Sequence, residues 1–220
     1  GALVIDGTAN IVNSVFYNNS AQNGAALLFG GGDANLSTVT NCSFVNNTGS
    51  FVGVGYQGFS KAIFKNCLFW NNTPTSNPVV GRDEIYSQEN RIGFQPTFIN
   101  CIIRDATGNP LAITNTVLVN SSNSNPLFVN SADGDGVDNQ WATADDGLTL
   151  QNSSPAKNSG ITGSGIPTLD IVGNIRDSQP DLGAYEYQAP CINPIAYNLS
   201  GGGTYCAGGV GHVVNVLNSE

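Results

Sequence analysis

A six-residue phrase returns along this chain and limits what it can fold into. It reads Asn13-Ser14-Val15-Phe16-Tyr17-Asn18, then Asn41-Cys42-Ser43-Phe44-Val45-Asn46, then Asn66-Cys67-Leu68-Phe69-Trp70-Asn71. Fainter copies follow at Asn100-Cys101-Ile102-Ile103 and at Asn115-Thr116-Val117-Leu118-Val119-Asn120. The leading Asn residues of the first four copies lie 28, 25 and 34 positions apart. A short strand-like unit returning at so loose a period predicts stacked units, each burying its apolar side chains against the next. The uneven spacing is then taken up by loops at the corners.

Within each phrase the apolar positions alternate, as in Cys42 and Phe44, Cys67 and Phe69, Cys101 and Ile103. Alternation at period two places each pair on one side of a strand. Another short apolar run precedes each leading Asn, and a polar corner such as Asn46-Asn47-Thr48 or Asn71-Asn72-Thr73 follows each phrase. Asn tolerates left-handed backbone and can cap a bend with its own amide, as a corner requires. Strand, Asn bend, strand, polar corner and strand make one turn of a parallel β-helix. Equivalent side chains of successive turns would sit about 4.8 Å apart. On that basis Asn13, Asn41, Asn66, Asn100 and Asn115 are expected to form an internal ladder of amide hydrogen bonds. Cys42, Cys67 and Cys101 share one register and read as small buried hydrophobes, since no CxxC spacing or His partner accompanies them.

Composition narrows the class. The formal charge is −9 with seven Lys and Arg in 220 residues, which argues against nucleic acid or an anionic membrane surface as partner. No apolar run is long enough to span a bilayer. An apolar content of 40%, spaced in alternation, predicts a folded β protein rather than a disordered one. Abundant Asn, Ser and Gly with few Lys suit a secreted or surface protein, and a sequence without Met reads as a processed product or a piece of something longer.

From Asn125 the pattern changes. Asp133, Asp135, Asp138, Asp145 and Asp146 fall within fourteen residues among several glycines. Alternating Asp in such a loop can converge oxygens on Ca²⁺, which takes six to eight of them; the same residues also suit a solvated turn in which Asp caps local backbone. No EF-hand frame is present. Beyond this loop come Leu148-Thr149-Leu150-Gln151-Asn152-Ser153-Ser154-Pro155-Ala156, then Asp170-Ile171-Val172-Gly173-Asn174-Ile175-Arg176, then Pro180-Asp181-Leu182-Gly183-Ala184-Tyr185-Glu186-Tyr187. These phrases resemble the C-terminal part of the right-handed parallel β-helix domains in surface proteins of Bacteroidetes-type bacteria. The resemblance covers roughly residues 1–188, with the Asp-Leu-Gly-Ala-Tyr-Glu phrase its most specific part. It implies turns over 1–124, an end-cap region with the acidic loop over 125–188, and export by the type IX secretion machinery. Residues 189–220, with Gly201-Gly202-Gly203-Thr204-Tyr205-Cys206, resemble the opening of an Ig-like β-sandwich repeat of large adhesion proteins. Pairing of Cys191 with Cys206 stays open. Tyr185 and Tyr187 are expected on one strand face, with Arg176 pairing with Asp181 or Glu186.

Parallel β-helices include polysaccharide lyases and glycosidases, whose chemistry needs paired carboxylates or a base with cations that hold an acidic sugar. Here Arg82, Asp83 and Glu84 stand without repeats around them, and the only His, His212, lies in the tail. The expected fold is therefore all-β: a right-handed parallel β-helix with a C-terminal cap, followed by a partial Ig-like module. The expected function is a non-catalytic structural or adhesive part of an extracellular or cell-surface protein that meets a glycan or other surface ligand. A carbohydrate-binding module is the alternative, with Tyr17, Trp70 and Tyr56 as the aromatic candidates. A β-helix enzyme of the lyase or glycosidase type comes third.

Overall fold

A computed structural model describes residues 2–22, 24–30, 36–49, 54–56, 61–75, 85–87, 95–103, 116–189, 199–201 and 214–216. Among them every regular element is a strand, and no helix occurs. The chain divides into two compact units, Gly1–Tyr187 and Gln188–Glu220.

In the first unit the repeats contribute strands in a fixed order. Repeat one supplies β1 (Leu3–Ile5), β2 (Asn10–Val12), β3 (Val15–Tyr17) and β4 (Ser20–Ala21). Repeat two supplies β5 (Leu27–Phe29), β6 (Leu36–Thr40), β7 (Ser43–Val45) and β8 (Thr48–Gly49). Repeat three supplies β9 (Val54–Tyr56), β10 (Lys61–Lys65), β11 (Leu68–Trp70) and β12 (Thr73–Pro74). Repeat four adds β13 (Ile85–Ser87) and β14 (Thr97–Ile99), and repeat five adds β15 (Val117–Val119). Each strand pairs in parallel with its equivalent in the next repeat, giving sheets ordered β1-β5-β9-β13, β2-β6-β10-β14-β15, β3-β7-β11 and β4-β8-β12. Isolated bridges extend the third sheet from Leu68 to Ile102 and from Ile102 to Ser122.

The bends are built from Asn. Asn13, Asn41, Asn66 and Asn100 have φ of 44°, 50°, 52° and 49°, and Asn18, Asn46 and Asn71 at the next corner have φ of 54°, 58° and 55°. Left-handed backbone costs most residues 1–2 kcal/mol, roughly, and Asn is among the few side chains that visit it routinely. Register corrects the fifth phrase. Thr97 pairs with Val117 and Ile99 with Val119, so the bend equivalent to Asn100 is Asn120, at φ 48°. Asn115 lies outside the described residues.

The inner core runs along the stack. Phe16, Phe44 and Phe69 lie parallel, with ring centroids 4.8 and 4.7 Å apart, and Phe64 stacks on Phe98 at 4.6 Å. The two rows meet edge to face, as in Phe64 against Phe69 at 5.6 Å. Aromatic pairs of this kind contribute about 0.5–1.5 kcal/mol beyond their area. Cys42, Cys67 and Cys101 are free thiols within this core, as expected for small buried hydrophobes. Each S–H donates to the carbonyl two residues back, at Thr40, Lys65 and Ile99. Burial pushes the Cys42 and Cys67 thiols up, away from the thiolate a metal or redox site would need.

An amide ladder exists, but one corner beyond the expected row. Asn47 Oδ1 accepts from the backbone N–H and the side-chain amide of Asn19, at 3.0 and 2.8 Å. Asn72 Oδ1 accepts likewise from Asn47, at 3.0 and 2.7 Å. Each lower amide also donates to a Phe carbonyl one repeat back, Asn47 to Phe16 and Asn72 to Phe44. Among Asn13, Asn41, Asn66 and Asn100 the only mutual contact is Asn66 to Asn41 at 3.4 Å. The reason is parity: Asn41 precedes inward Cys42 and so belongs to the opposite side.

The second unit is described by one antiparallel pair, β16 (Leu199–Gly201) with β17 (Val214–Val216). Cys191, Cys206 and His212 lie outside the described residues, as do Arg82, Asp83 and Glu84.

Asn47→Ala is expected to destabilise the first unit by about 2–4 kcal/mol, because it strands buried donors and acceptors in both neighbouring repeats. Chemical denaturation checks this. A loss no larger than that of an exposed control such as Asn10→Ala would remove the ladder as a stabilising element.

Candidate functional site

The third sheet presents Val15, Tyr17, Ser43, Val45, Leu68 and Trp70 on its outer side, opposite the inward Phe row. Strands apolar on both sides must be covered on both. The cover is the chain from Pro126 to Tyr187, which lies along the repeats as a strap. Phe128, Leu148, Leu150, Ala156, Leu182, Ala184 and Tyr185 pack on Val45, Leu68 and Ile102 to form a second core. Gly183 shows how close the approach is: at φ +88°, a Cβ there would sit 2.6 Å from Leu68 Cδ1 and 2.8 Å from Ser43 Oγ. Residues 184–187 form no strand, so Tyr185 and Tyr187 do not share a strand face.

The outer Asn row fastens this strap. Asn13 donates to the Leu169 carbonyl at 2.6 Å and Asn41 to the Asp181 carbonyl at 3.0 Å. Asn66 donates to the Ile161 carbonyl and accepts from the Ile161 N–H, both at 2.9 Å, and Asn100 donates to the Ser159 carbonyl at 2.9 Å. Four repeats are thus tied to one segment through a residue type that the bend already requires.

Arg176 organises the strap's own turns. It forms a buried ion pair with Glu186 at 3.0 Å and donates to Asn13 Oδ1 and to the carbonyls of Gly183 and Ala184. Its expected partner is therefore Glu186, while Asp181 offers it a main-chain oxygen at 3.4 Å. Asp170 Oδ1 gathers three consecutive N–H groups, from Val172, Gly173 and Asn174. Asp181 accepts from the N–H of Asn158 and of Tyr187. Burial pushes Asp181 and Glu186 above the usual carboxylate range even against these donors, and it lowers Arg176. A shallow cleft of about 170 Å³ beside this cluster is lined by Thr162, Ile166, Thr168, Arg176, Asp177 and Pro180, among others.

The acidic loop is closed by its own backbone. Asp145 accepts from the Thr143 hydroxyl and from the N–H of Val137 and Asp138, and the Thr143 contact, ahead of the others, holds its carboxyl below the usual range. Asp138 caps Gln140. Asp146 is buried, accepts from Ala142, Thr143 and the Tyr185 hydroxyl, and ties the loop to the end of the strap. Desolvation and this carboxylate push the Tyr185 phenol far up. Among the described residues no three His, Cys, Asp or Glu side chains converge to hold a metal. The oxygens of Asp145 and Asp146 serve local N–H and O–H groups.

Of the aromatic candidates, Tyr17 packs at the edge of the second core and donates to the Ala132 carbonyl at 3.0 Å. Trp70 packs against the same core. Tyr56 is on β9, and its side chain lies outside the described residues. Sequence reasoning missed Trp141, which is 42% exposed and tilts over Tyr17 with ring centroids 5.3 Å apart. Gly134 makes room for this pair, because a Cβ there would meet Trp141 at 2.8 Å and Tyr17 at 2.9 Å. The signal was weak: Trp141 stands in an acidic loop more than a hundred residues from its partner.

No protein-family model matches this chain, and no curated protein matches it. Among the described residues no helix is long and apolar enough to cross a membrane.

Two outcomes are expected. Arg176→Met should cost about 3–5 kcal/mol at neutral pH by leaving Glu186 buried without its cation. Losing the cation raises the folded value of Glu186 further. That group's contribution is then present below its unfolded value near pH 4.3 and lost as pH rises through the folded one. The deficit of the variant should accordingly shrink on acidification, and a deficit independent of pH in denaturation series would refute the pairing. Melting curves in excess calcium and in EDTA should coincide; a calcium-dependent rise would show that the loop rearranges to bind the ion.

Proposed function

We propose that this chain is a non-catalytic structural and adhesive module of a large bacterial cell-surface or secreted protein. In this reading the repeats form a right-handed parallel β-helix, the strap stiffens one side of it, and residues 189–220 open an Ig-like repeat. The closing phrases ending in Asp181-Leu182-Gly183-Ala184-Tyr185-Glu186 carry the resemblance to Bacteroidetes-type surface proteins, and with it export through the type IX secretion machinery.

One observation supports the reading most. The buried charged groups that would attract attention as catalytic candidates are spent on construction. Arg176 and Glu186 pair with each other, Asp170 and Asp181 hold main-chain N–H groups, and Asp146 holds Tyr185. A general acid or base needs a proton it can exchange with substrate, and groups so engaged serve the fold instead. Stiffness follows from side-chain ladders and from a strap tied to four successive repeats.

A carbohydrate-binding role is favoured by a separate observation, the half-exposed Trp141 over Tyr17. Sugar recognition uses flat aromatic surfaces that remain open on one side. Tyr17 alone is occupied by carbonyl oxygens, so Trp141 would be the platform.

Incubation of the full chain with a panel of acidic and neutral polysaccharides tests the primary reading. No new reducing ends and no unsaturated products are expected, and turnover of any one polymer would overthrow it. Glycan-array binding that disappears in Trp141→Ala, with an unchanged melting temperature, would establish the sugar-recognising reading; a blank array leaves the stiff module.

A further inference from the structure

The cleft beside Arg176 is bordered by polar groups that the fold leaves unused. Both terminal nitrogens of Arg176 are spent on construction. Nη1 donates to Glu186 and to the Asp181 carbonyl, and Nη2 to Asn13 and the carbonyls of Gly183 and Ala184. The remaining donor, Nε–H, is buried and has no hydrogen-bond partner among the described residues. The side chain is only 2% exposed, yet the residue lines the cleft. A buried donor left without an acceptor is rare in a folded chain, and it marks a place where another molecule can supply one.

Three further polar side chains border the same cleft. Thr162 and Thr168 are exposed, and their hydroxyls make no hydrogen bond among the described residues. Asp177 caps the Gln179 N–H with Oδ1 at 2.7 Å, which leaves Oδ2 open, and its own N–H is held by Glu186. Ile166 and Pro180 add apolar wall. Apolar walls with a few converging polar groups are the usual composition of a small-molecule site.

Charge and size select the ligand. Arg176 is paired with Glu186, and the carboxylates of Asp170 and Asp181 also act on it. With Asp177 in the lining, an anion would meet excess negative charge and a cation would meet the guanidinium. A neutral molecule with donors and acceptors side by side avoids both. A hydroxyl offers this by accepting from Nε–H while donating to Asp177. The cleft volume of about 170 Å³ is close to the cavity of roughly 150 Å³ that holds one six-membered ring. We infer that this cleft binds one neutral pyranose unit of a glycan, held by Arg176, Asp177, Thr162 and Thr168. The site shares no residue with the Tyr17–Trp141 pair and does not rest on the proposed function.

The test is a magnetic-resonance titration of the isotope-labelled full chain with methyl α-mannopyranoside, methyl β-galactopyranoside and N-acetylglucosamine. At least one of them should shift the Arg176 Nε–H resonance saturably, at the millimolar concentrations usual for so small a ligand. Combining Thr162→Val, Thr168→Val and Asp177→Ala should weaken that binding by about tenfold or more. Thr168→Val alone, which removes no hydrogen bond of the fold, should weaken it in the same direction, with an unchanged melting temperature. No saturable shift with any of the three sugars would overturn the inference. Binding that is unaltered in the combined variant would overturn it too, as would shifts around Trp141 that leave Arg176 Nε–H unmoved. Galacturonate bound more tightly than the galactoside would refute the neutral class.

Discussion

Everything in the first unit depends on identical side chains meeting at the spacing of the backbone ladder. Parallel strands repeat at about 4.8 Å, which falls within the range of centroid separations of offset-stacked aromatic rings and within the reach of one amide hydrogen bond between side chains. The Phe16, Phe44 and Phe69 rings and the Asn19, Asn47 and Asn72 amides use that coincidence in two different ways. The ring row removes apolar surface from water, and the amide row satisfies polar groups that a corner would otherwise bury unpaired. Neither works if a repeat slips by one residue, because alternation would carry both rows to the other side. The stack therefore holds its own register, and loops of uneven length between repeats do not disturb it.

The strap follows from the same geometry. A sheet whose outer residues include Val15, Val45, Leu68 and Trp70 cannot face water, and the bend Asn residues leave a row of amides beside it. Those amides meet the carbonyls of Ser159, Ile161, Leu169 and Asp181. Arg176 then links the two parts, joining Glu186 within the strap to Asn13 on repeat one. Buried charge of this kind adds little net stability but penalises every arrangement in which the pair is separated. That suits a segment without regular secondary structure, which has few backbone ladders to define its path.

Much of the repeat was legible in the sequence. The phrases beginning at Asn13, Asn41 and Asn66 marked strand and bend directly, because left-handed backbone favours Asn and alternation marks the inner side. The cysteines read correctly as core for the same reason. The ladder was misplaced, although parity held the needed signal: Asn41 precedes an inward Cys42 and so faces outward, whereas Asn47 follows a left-handed corner that resets the alternation. The fifth repeat was misread at Asn115 because its phrase opens with a second Asn; only the pairing of Thr97 with Val117 shows that Asn120 is the bend. In the acidic loop composition cannot tell a carboxylate aimed at an ion from one aimed at neighbouring N–H groups; in three dimensions Asp145 meets the N–H groups of Val137 and Asp138.

By itself, the sequence determined that this chain stacks short parallel strands through Asn corners, since propensity and alternation are local and act over a few residues. It also carried the apolar residues on both sides of the third sheet, as in Leu68-Phe69-Trp70. What covers the outer side was decided only in three dimensions. The contact of Ser43 with the Ala184 N–H joins positions 141 residues apart, and Gly183 approaches Leu68 from a similarly distant part of the sequence. No period or motif records such a meeting, because it is chosen by which surface remains unburied after the repeats have stacked.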